Sequence, residues 1–163
     1  MKIISGGQTG VDRAALDVAI ERGLEWGGWC PKGGWAEDYP APPGLLDKYP
    51  HLKETPLANP VQRTEWNVRD SNASLIIADR EDLSVSIGSR RAHQWGHKHG
   101  KPLLVIDAID PEAPLRATAW VRTQQKRFGP HMTLGIGGPR ESECPGIYVR
   151  AKQFIEAMLD RLD

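Results

Sequence analysis

The chain has 163 residues, which suits one domain with an ordinary hydrophobic core, and we expect residues 1–163 to form that domain. Its 21 Lys and Arg residues balance its 21 Asp and Glu residues, so no global charge attracts nucleic acid or an acidic membrane. Any cationic site must therefore be local.

Cysteine content and hydropathy predict the compartment. Cys30 and Cys144 are too few for a disulfide framework and have no CxxC partner, so we expect two reduced thiols and no zinc site. No apolar run approaches the roughly 18 residues of a membrane span, and the first glycine-rich turn follows Met1 too closely for a signal peptide. These features predict a cytoplasmic protein.

Apolar runs separated by glycine, proline and polar breaks predict five strands that alternate with helices. The strands are predicted at residues 2–5, 26–29, 75–78, 103–106 and 133–136. The helices are predicted at residues 11–22, 59–70, 113–128 and 147–162, with one more that continues from a turn at 84–89 to residue 99. The proline-rich segment 31–50 has no sustained period and is interpreted as a functional loop. This alternation predicts an α/β protein, a Rossmann-like three-layer sandwich whose mostly parallel sheet has five strands or slightly more.

Four turns rich in small residues follow predicted strands, at residues 5–10, 31–34, 84–89 and 137–142. Because the carboxyl ends of parallel strands lie at one edge of a sheet, we expect these turns to be neighbours. Bare backbone N–H groups and helix N-termini suit an anion, and Lys32 and Arg140 add positive charge. The sequence therefore predicts an anion site at this edge, with phosphate or a similar group as its ligand. Asp12 follows the first turn and either complements the helix dipole or contacts the ligand.

Common catalytic and nucleotide-binding motifs do not match the sequence. The first turn lacks the GxGxxG spacing, and Val11 follows Gly10 where a P-loop requires lysine. There is no GxSxG elbow. His93 and His97 are spaced i, i+4 without the acidic residue of HExxH, which favours a solvated helix face, so no metal site is predicted.

Five segments carry a family resemblance: residues 3–17 (IISGGQTGVDRAALD), 28–38 (GWCPKGGWAED), 63–71 (RTEWNVRDS), 138–142 (GPRES) and 145–148 (PGIY). Together they span nearly the whole chain and resemble the molybdenum carrier protein family. The resemblance implies a Rossmann-type homo-oligomer, a homotetramer arranged as a dimer of dimers, that holds the molybdenum cofactor as cargo. This cofactor is a pterin with dithiolene-bound molybdenum and a terminal phosphate. Transient contact with molybdoenzymes or with proteins of cofactor synthesis is also implied.

The turns and the resemblance together define the candidate ligand-binding residues, with no catalytic residue among them. They are Gly6, Gly7, Gln8, Thr9, Gly10, Lys32, Gly33, Gly34, Asn67, Gly88, Ser89, Gly137, Gly138, Arg140 and Ser142.

A more distant similarity is to the Lonely-Guy phosphoribohydrolases, which carry a PGGxGT loop followed by a catalytic glutamate. The corresponding turn here keeps Gly88 and Ser89, but Arg90 stands at the glutamate position. Since glycosidic hydrolysis needs a carboxylate, we expect a non-catalytic carrier. Two alternatives stay open. One is a nucleotide-binding module without activity, and the other is an enzyme that cleaves nucleoside monophosphates with Glu37, Asp38 or Glu141.

Overall fold

The computed structural model describes residues 1–162, and these form a six-stranded sheet with helices packed against it. The strands are β1 (Lys2–Ile4), β2 (Glu25–Cys30), β3 (Leu52–Glu54), β4 (Ala73–Ala78), β5 (Leu103–Asp107) and β6 (Thr133–Gly137). The helices are α1 (Val11–Glu21), α2 (Leu45–Lys48), α3 (Pro60–Arg69), α4 (Ile87–Lys98), α5 (Ala113–Phe128) and α6 (Ile147–Asp160). A short 3₁₀ helix covers Leu83–Val85.

The strands pair in parallel in the order β3-β2-β1-β6-β4-β5. This arrangement confirms the predicted Rossmann-like α/β class. The additional strand is β3, whose three residues pair with the end of β2 just after the segment interpreted as a loop. That segment also contains the one-turn helix α2. A three-residue edge strand has too short a hydrophobic pattern to be recognised from sequence.

Helix boundaries follow from the capping residues. The Asn59 side chain accepts a hydrogen bond from the Val61 backbone N–H at 3.0 Å, and Pro60 takes the first helical position of α3. Ser86 caps α4 in the same way. Gly129, with a φ of 88°, ends α5. Helices α3 and α5 therefore begin and end within one residue of their predicted limits.

Helices cover both faces of the sheet. On one face α1, α5 and α6 pack together over the main hydrophobic core, which includes the strand residues Ile3, Leu75 and Leu134. On the other face α3 and α4 pack against each other, α3 over β2 and α4 over β4 and β5. Since side chains alternate along a strand, Ile4 and Ile76 point to this second face. The result is the three-layer arrangement that the sequence predicts.

Strand β6 leaves space beneath α3 and α4. Its Leu134 and Ile136 are buried in the main core, so Gly135 and Gly137 face the opposite pair of helices. A Cβ on Gly135 would lie only 2.7 Å from the Ser71 hydroxyl oxygen and 3.1 Å from that of Ser74. Glycine inside a strand is typical of a place where another group approaches the backbone closely. Moreover, β6 and β4 lie where the strand order reverses, the position at which open parallel sheets bind ligands.

Candidate functional site

A cavity lies between the sheet and helices α3 and α4, at the point where the strand order reverses. Its walls are formed by the residues that follow β1 and β6, by one side of α3, and by the start of α4. The polar side chains among its lining residues are Ser5, Asp12, Arg63, Thr64, Asn67, Ser74 and Ser89.

The predicted ligand-binding residues are divided among separate places. Those that line the cavity are Gly6, Asn67, Gly88, Ser89, Gly137 and Gly138. Lys32 and Gly33 line a second hollow. Thr9, Arg140 and Ser142 surround the Glu37 side chain, and Gln8 Oε1 accepts a hydrogen bond from the Glu37 backbone N–H. The remaining three, which pack against other parts of the chain, are Gly7, Gly10 and Gly34. The ligand roles of all these residues stay predictions.

The carboxylate of Asp12 occupies the first glycine turn, residues 5–10. It accepts a hydrogen bond from Arg63 Nη1 at 2.7 Å and further hydrogen bonds from the backbone N–H groups of Gly138 and Gln8. Burial raises the pKa of Asp12, although Arg63 and the two backbone groups act in the opposite direction. Gly6 has to lack a side chain, because a Cβ there would collide with the Arg63 guanidinium and lie 2.9 Å from Asp12 Oδ2.

The carboxylate of Glu37 lies between the first glycine turn and the second, residues 137–142. It accepts hydrogen bonds from the hydroxyl groups of Thr9 and Ser142, the latter at 2.6 Å. Arg140 Nη1 lies 3.9 Å from Glu37 Oε2. Partial burial works against ionisation, but the hydrogen bonds from Ser142 and Thr9 and the charge of Arg140 outweigh it and lower the pKa of Glu37.

The two glycine turns also bind each other directly. The Val11 N–H, at the start of α1, donates to the Pro139 carbonyl at 3.2 Å, and the Glu141 N–H donates to the Thr9 hydroxyl at 3.2 Å. Gly10 fits against the backbone of residues 139–141 without room for a Cβ. Both turns therefore bind a carboxylate, as anion-binding turns do, but each carboxylate belongs to the protein itself.

Three residues that line the cavity each carry a buried polar atom with no hydrogen-bond partner among residues 1–162: Arg63 Nε, Ser74 Oγ and Ser89 Oγ. Ser74 and Ser89 are only 4% and 3% exposed, so bulk water does not provide hydrogen-bond partners for their hydroxyl groups. Ser89 lies in the first turn of α4, which contains no acidic residue and presents the positive end of the helix dipole. This arrangement can bind an oxyanion through a guanidinium, a hydroxyl and helix N–H groups.

Sequence reasoning did not select Arg63, Ser5 or Ser74 as ligand-binding residues. Arg63 lies within a matched segment, but nothing in the sequence shows that α3 crosses the first glycine turn. Ser74 lies in the first half of a buried strand, where a serine is usually a structural residue. The alternation of Leu134 and Ile136 with glycine in β6 could have indicated the hollow face, because it leaves one side of a central strand without side chains.

The carboxylates considered for a hydrolase lie outside the cavity lining. Glu37 is held between the glycine turns. Asp38 accepts two hydrogen bonds from Arg13, at 2.8 and 2.9 Å, which lower its pKa. Glu141 accepts the backbone N–H of Tyr148 at 3.0 Å, at the start of α6. The carboxylate that does line the cavity is Asp12.

The remaining sequence candidates lie elsewhere. Cys30 and Cys144 are buried free thiols, and burial raises the pKa of Cys30 to about 11. The His93 and His97 rings are 4.7 Å apart between centroids, but residues 1–162 contain no cluster of three His, Cys, Asp or Glu side chains that could hold a metal ion. In the same part of the chain, no helix combines the length and apolar character needed to cross a bilayer.

Comparison with known proteins agrees with this topology. Residues 3–159 match the circularly permutated YpsA SLOG family. A crystal structure of the "Putative molybdenum carrier protein" of Syntrophus aciditrophicus SB is 38% identical in sequence, with a TM-score of 0.81, over 97% of this chain and 94% of that one. No curated protein matches the chain.

The fold and the cavity define a Rossmann-like α/β protein with a partly polar cavity where the strand order reverses. The chain belongs to the circularly permutated YpsA SLOG family. The strand order illustrates the permutation. If β6 and α6 came first in the chain and the strands were renumbered from β6, the order across the sheet would be 4-3-2-1-5-6. Consecutive strands would then be neighbours, except for strands 4 and 5. The resemblance to molybdenum carrier proteins is confirmed by the 38% identical structure of that name.

Proposed function

We propose that this protein is a non-catalytic carrier of the molybdenum cofactor, which it holds as cargo with an anionic group in the cavity. The observation that carries the proposal is the set of unpartnered polar atoms on Arg63, Ser74 and Ser89. A buried polar atom without a partner costs about 1–3 kcal/mol, and a ligand that supplies the missing partner recovers that free energy. The name of the 38% identical neighbour supports the choice of cargo.

The terminal phosphate of the cofactor is the group that best suits the start of α4. The Ser89 hydroxyl and the first backbone N–H groups of α4 donate to its oxygens, and Arg63 Nε supplies a charged donor. Arg63 keeps its ion pair with Asp12 through Nη1, so Asp12 positions the guanidinium while Nε remains available. Because Asp12 is itself negative, this pair also limits how much additional anionic charge the cavity accepts.

A carrier has to bind and shield its cargo, and it needs no group that transfers protons. Glu37, Asp38 and Glu141 are engaged in structural hydrogen bonds outside the cavity, which favours binding over hydrolysis. We further propose that the carrier works in the cytoplasm as a homotetramer, arranged as a dimer of dimers, and delivers its cargo in transient contacts with molybdoenzymes or cofactor-synthesis proteins. Sedimentation velocity tests the tetramer, since a monomer of 18.1 kDa is easily resolved from it.

The cargo is tested by purifying the protein from a host supplied with molybdenum, denaturing it by heat, and analysing the released small molecules. We expect molybdenum and a fluorescent oxidised pterin in near-equal amounts. The matched variant is Ser89→Ala, which removes a cavity hydroxyl that has no partner in the fold and should release much less of both. Release of a nucleotide, with neither molybdenum nor pterin, would contradict the carrier proposal and favour the nucleotide-binding alternative. Release of free base from a panel of nucleoside monophosphates would favour the enzyme.

A further inference from the structure

A second hollow lies beside the cavity on the same edge of the sheet. Its lining residues are Lys32 and Gly33 from the segment after β2, then Trp35, Pro40 and Pro42, and Ala58 and Pro60 at the start of α3. We call it the proline groove. Its walls are rigid and mostly apolar, because proline rings and the half-buried indole of Trp35 provide most of the surface.

The proline groove and the cavity are close together because helix α3 contributes to both. Pro60 lines the groove, while Arg63 and Thr64 line the cavity about one helical turn, or roughly 5.4 Å, further along the helix. The sheet gives the distance between the two ligand groups. The groove follows the end of β2, whereas the start of α4 follows β4, and three strand spacings amount to about 14 Å. An elongated small molecule can therefore reach both hollows.

The composition of the proline groove suits a planar ring rather than an anion alone. The Arg140 guanidinium lies over the Trp35 ring, 5.9 Å from its centroid, and an indole has two faces, of which Arg140 takes only one. Lys32 is exposed and has no side-chain partner among residues 1–162, so its ammonium group is available to oxygen or nitrogen acceptors on the rim of a heterocycle. Apolar walls with one cation at the edge are the usual surroundings of a bound heteroaromatic ring.

We propose that the proline groove is a second ligand subsite, which takes the planar nitrogen heterocycle of the same ligand whose phosphate lies in the cavity. Trp35 stacks on the ring, and Lys32 donates to a carbonyl oxygen or nitrogen at its edge. This inference rests on the proposed function. It specifies the part of the ligand beyond the phosphate, which the oxyanion site alone does not select. The protein selects a bipartite ligand with a flat ring about three strand spacings from a phosphate.

The test measures the binding of four probes to the full chain, by fluorescence or calorimetry: neopterin monophosphate, neopterin without phosphate, inorganic phosphate and adenosine monophosphate. Trp35→Leu should weaken neopterin monophosphate binding by about tenfold, the effect expected for loss of one aromatic stacking partner. The same variant should leave the affinity for inorganic phosphate unchanged. Lys32→Met should weaken both neopterin probes less strongly, and it provides a second variant should Trp35→Leu prove unstable. Trp66→Leu is the matched control, because Trp66 lines neither hollow.

Equal binding of neopterin monophosphate to the wild type, to Trp35→Leu and to Lys32→Met would overturn the second subsite while leaving the phosphate site intact. The wild type could instead bind adenosine monophosphate but not neopterin monophosphate, with a lower affinity for the nucleotide in Trp35→Leu. That result would support the second subsite and contradict the pterin cargo. If the wild type binds none of the probes that contain a ring, both proposals are overturned.

Discussion

At the scale of single residues, the candidate site is defined by which polar groups already have partners. Thr9 and Ser142 look like ligand-binding hydroxyl groups in the sequence, yet in the fold both donate to Glu37. Ser89 has the same chemistry and similar surroundings in sequence, but its hydroxyl is buried without a partner. The type of residue could be predicted, whereas its partner depends on Glu37, which lies 28 residues from Thr9 and 105 from Ser142.

Glu37 should make the protein sensitive to acid. Its pKa is lower in the folded state than the ordinary value of 4.5, so its contribution to stability is present above that value and is lost as the pH falls through its folded-state pKa. We therefore expect Glu37→Gln to flatten the fall in the free energy of unfolding below about pH 4.5. Urea unfolding of both proteins at a series of pH values measures this. Two parallel curves would show that Glu37 carries no such linkage.

The Asp12–Arg63 pair should behave as a coupled unit. The two side chains are 6% and 14% exposed, so Arg63→Leu leaves a buried carboxylate without its ion-pair partner. Loss of one partner of a buried pair costs about 3–5 kcal/mol. The double variant Asp12→Asn with Arg63→Leu should be more stable than Arg63→Leu alone, because it also removes the uncompensated charge. Urea unfolding of the four proteins tests this cycle, and strictly additive losses would contradict the coupling.

At the scale of elements, the glycine turns serve as contacts between loops as much as ligand sites. Their position after β1 and β6 was predictable, because a strand, a glycine turn and a helix follow in order. Their mutual packing was not, since it depends on β1 and β6 being neighbours although they lie at opposite ends of the chain. Strand β3 was missed for a different reason: it is too short to show a period, and a proline-rich segment precedes it.

Gly10→Ala tests this packing role. Gly10 has a φ of 76°, and a Cβ would lie 2.9 Å from backbone atoms of Arg140 and Glu141. Gly23 is the matched control, because its φ is 64° and a Cβ there would meet nothing within 4 Å. Backbone strain alone should cost Gly23→Ala about 1 kcal/mol, whereas the added overlap should cost Gly10→Ala about 3 kcal/mol or more. Equal losses in urea unfolding would mean that the two turns do not pack as described.

At the scale of the whole molecule, the strand order accounts for the location of the cavity. The sheet grows outward from β1 to β3 on one side and from β4 to β5 on the other, and β6 fills the central position. The α/β class could be read from the alternation of strands and helices. The order could not, because local sequence patterns do not specify which strands pair.

A reversed permutation tests this topology. A chain that begins at Pro130, with a short glycine-serine linker between the two ends of the sequence, keeps every strand neighbour and follows the order 4-3-2-1-5-6. We expect it to fold with a similar circular dichroism spectrum and to bind the same ligand, since cuts in exposed loops are well tolerated. An unfolded or aggregated permutant would contradict the proposed equivalence.

We predict that the ligand's anionic group binds at the start of α4 and not in the glycine turns. The most direct measurement compares neopterin monophosphate affinity, by fluorescence anisotropy, in Ser89→Ala, Ser86→Ala and Thr9→Ala. Ser89→Ala should weaken binding by about 1 kcal/mol or more without loss of stability, because its hydroxyl has no partner in the unliganded fold. Ser86→Ala should instead destabilise α4, whose N-terminus Ser86 caps, and Thr9→Ala should bind almost normally. Unchanged affinity in Ser89→Ala together with a clear loss in Thr9→Ala would contradict the account.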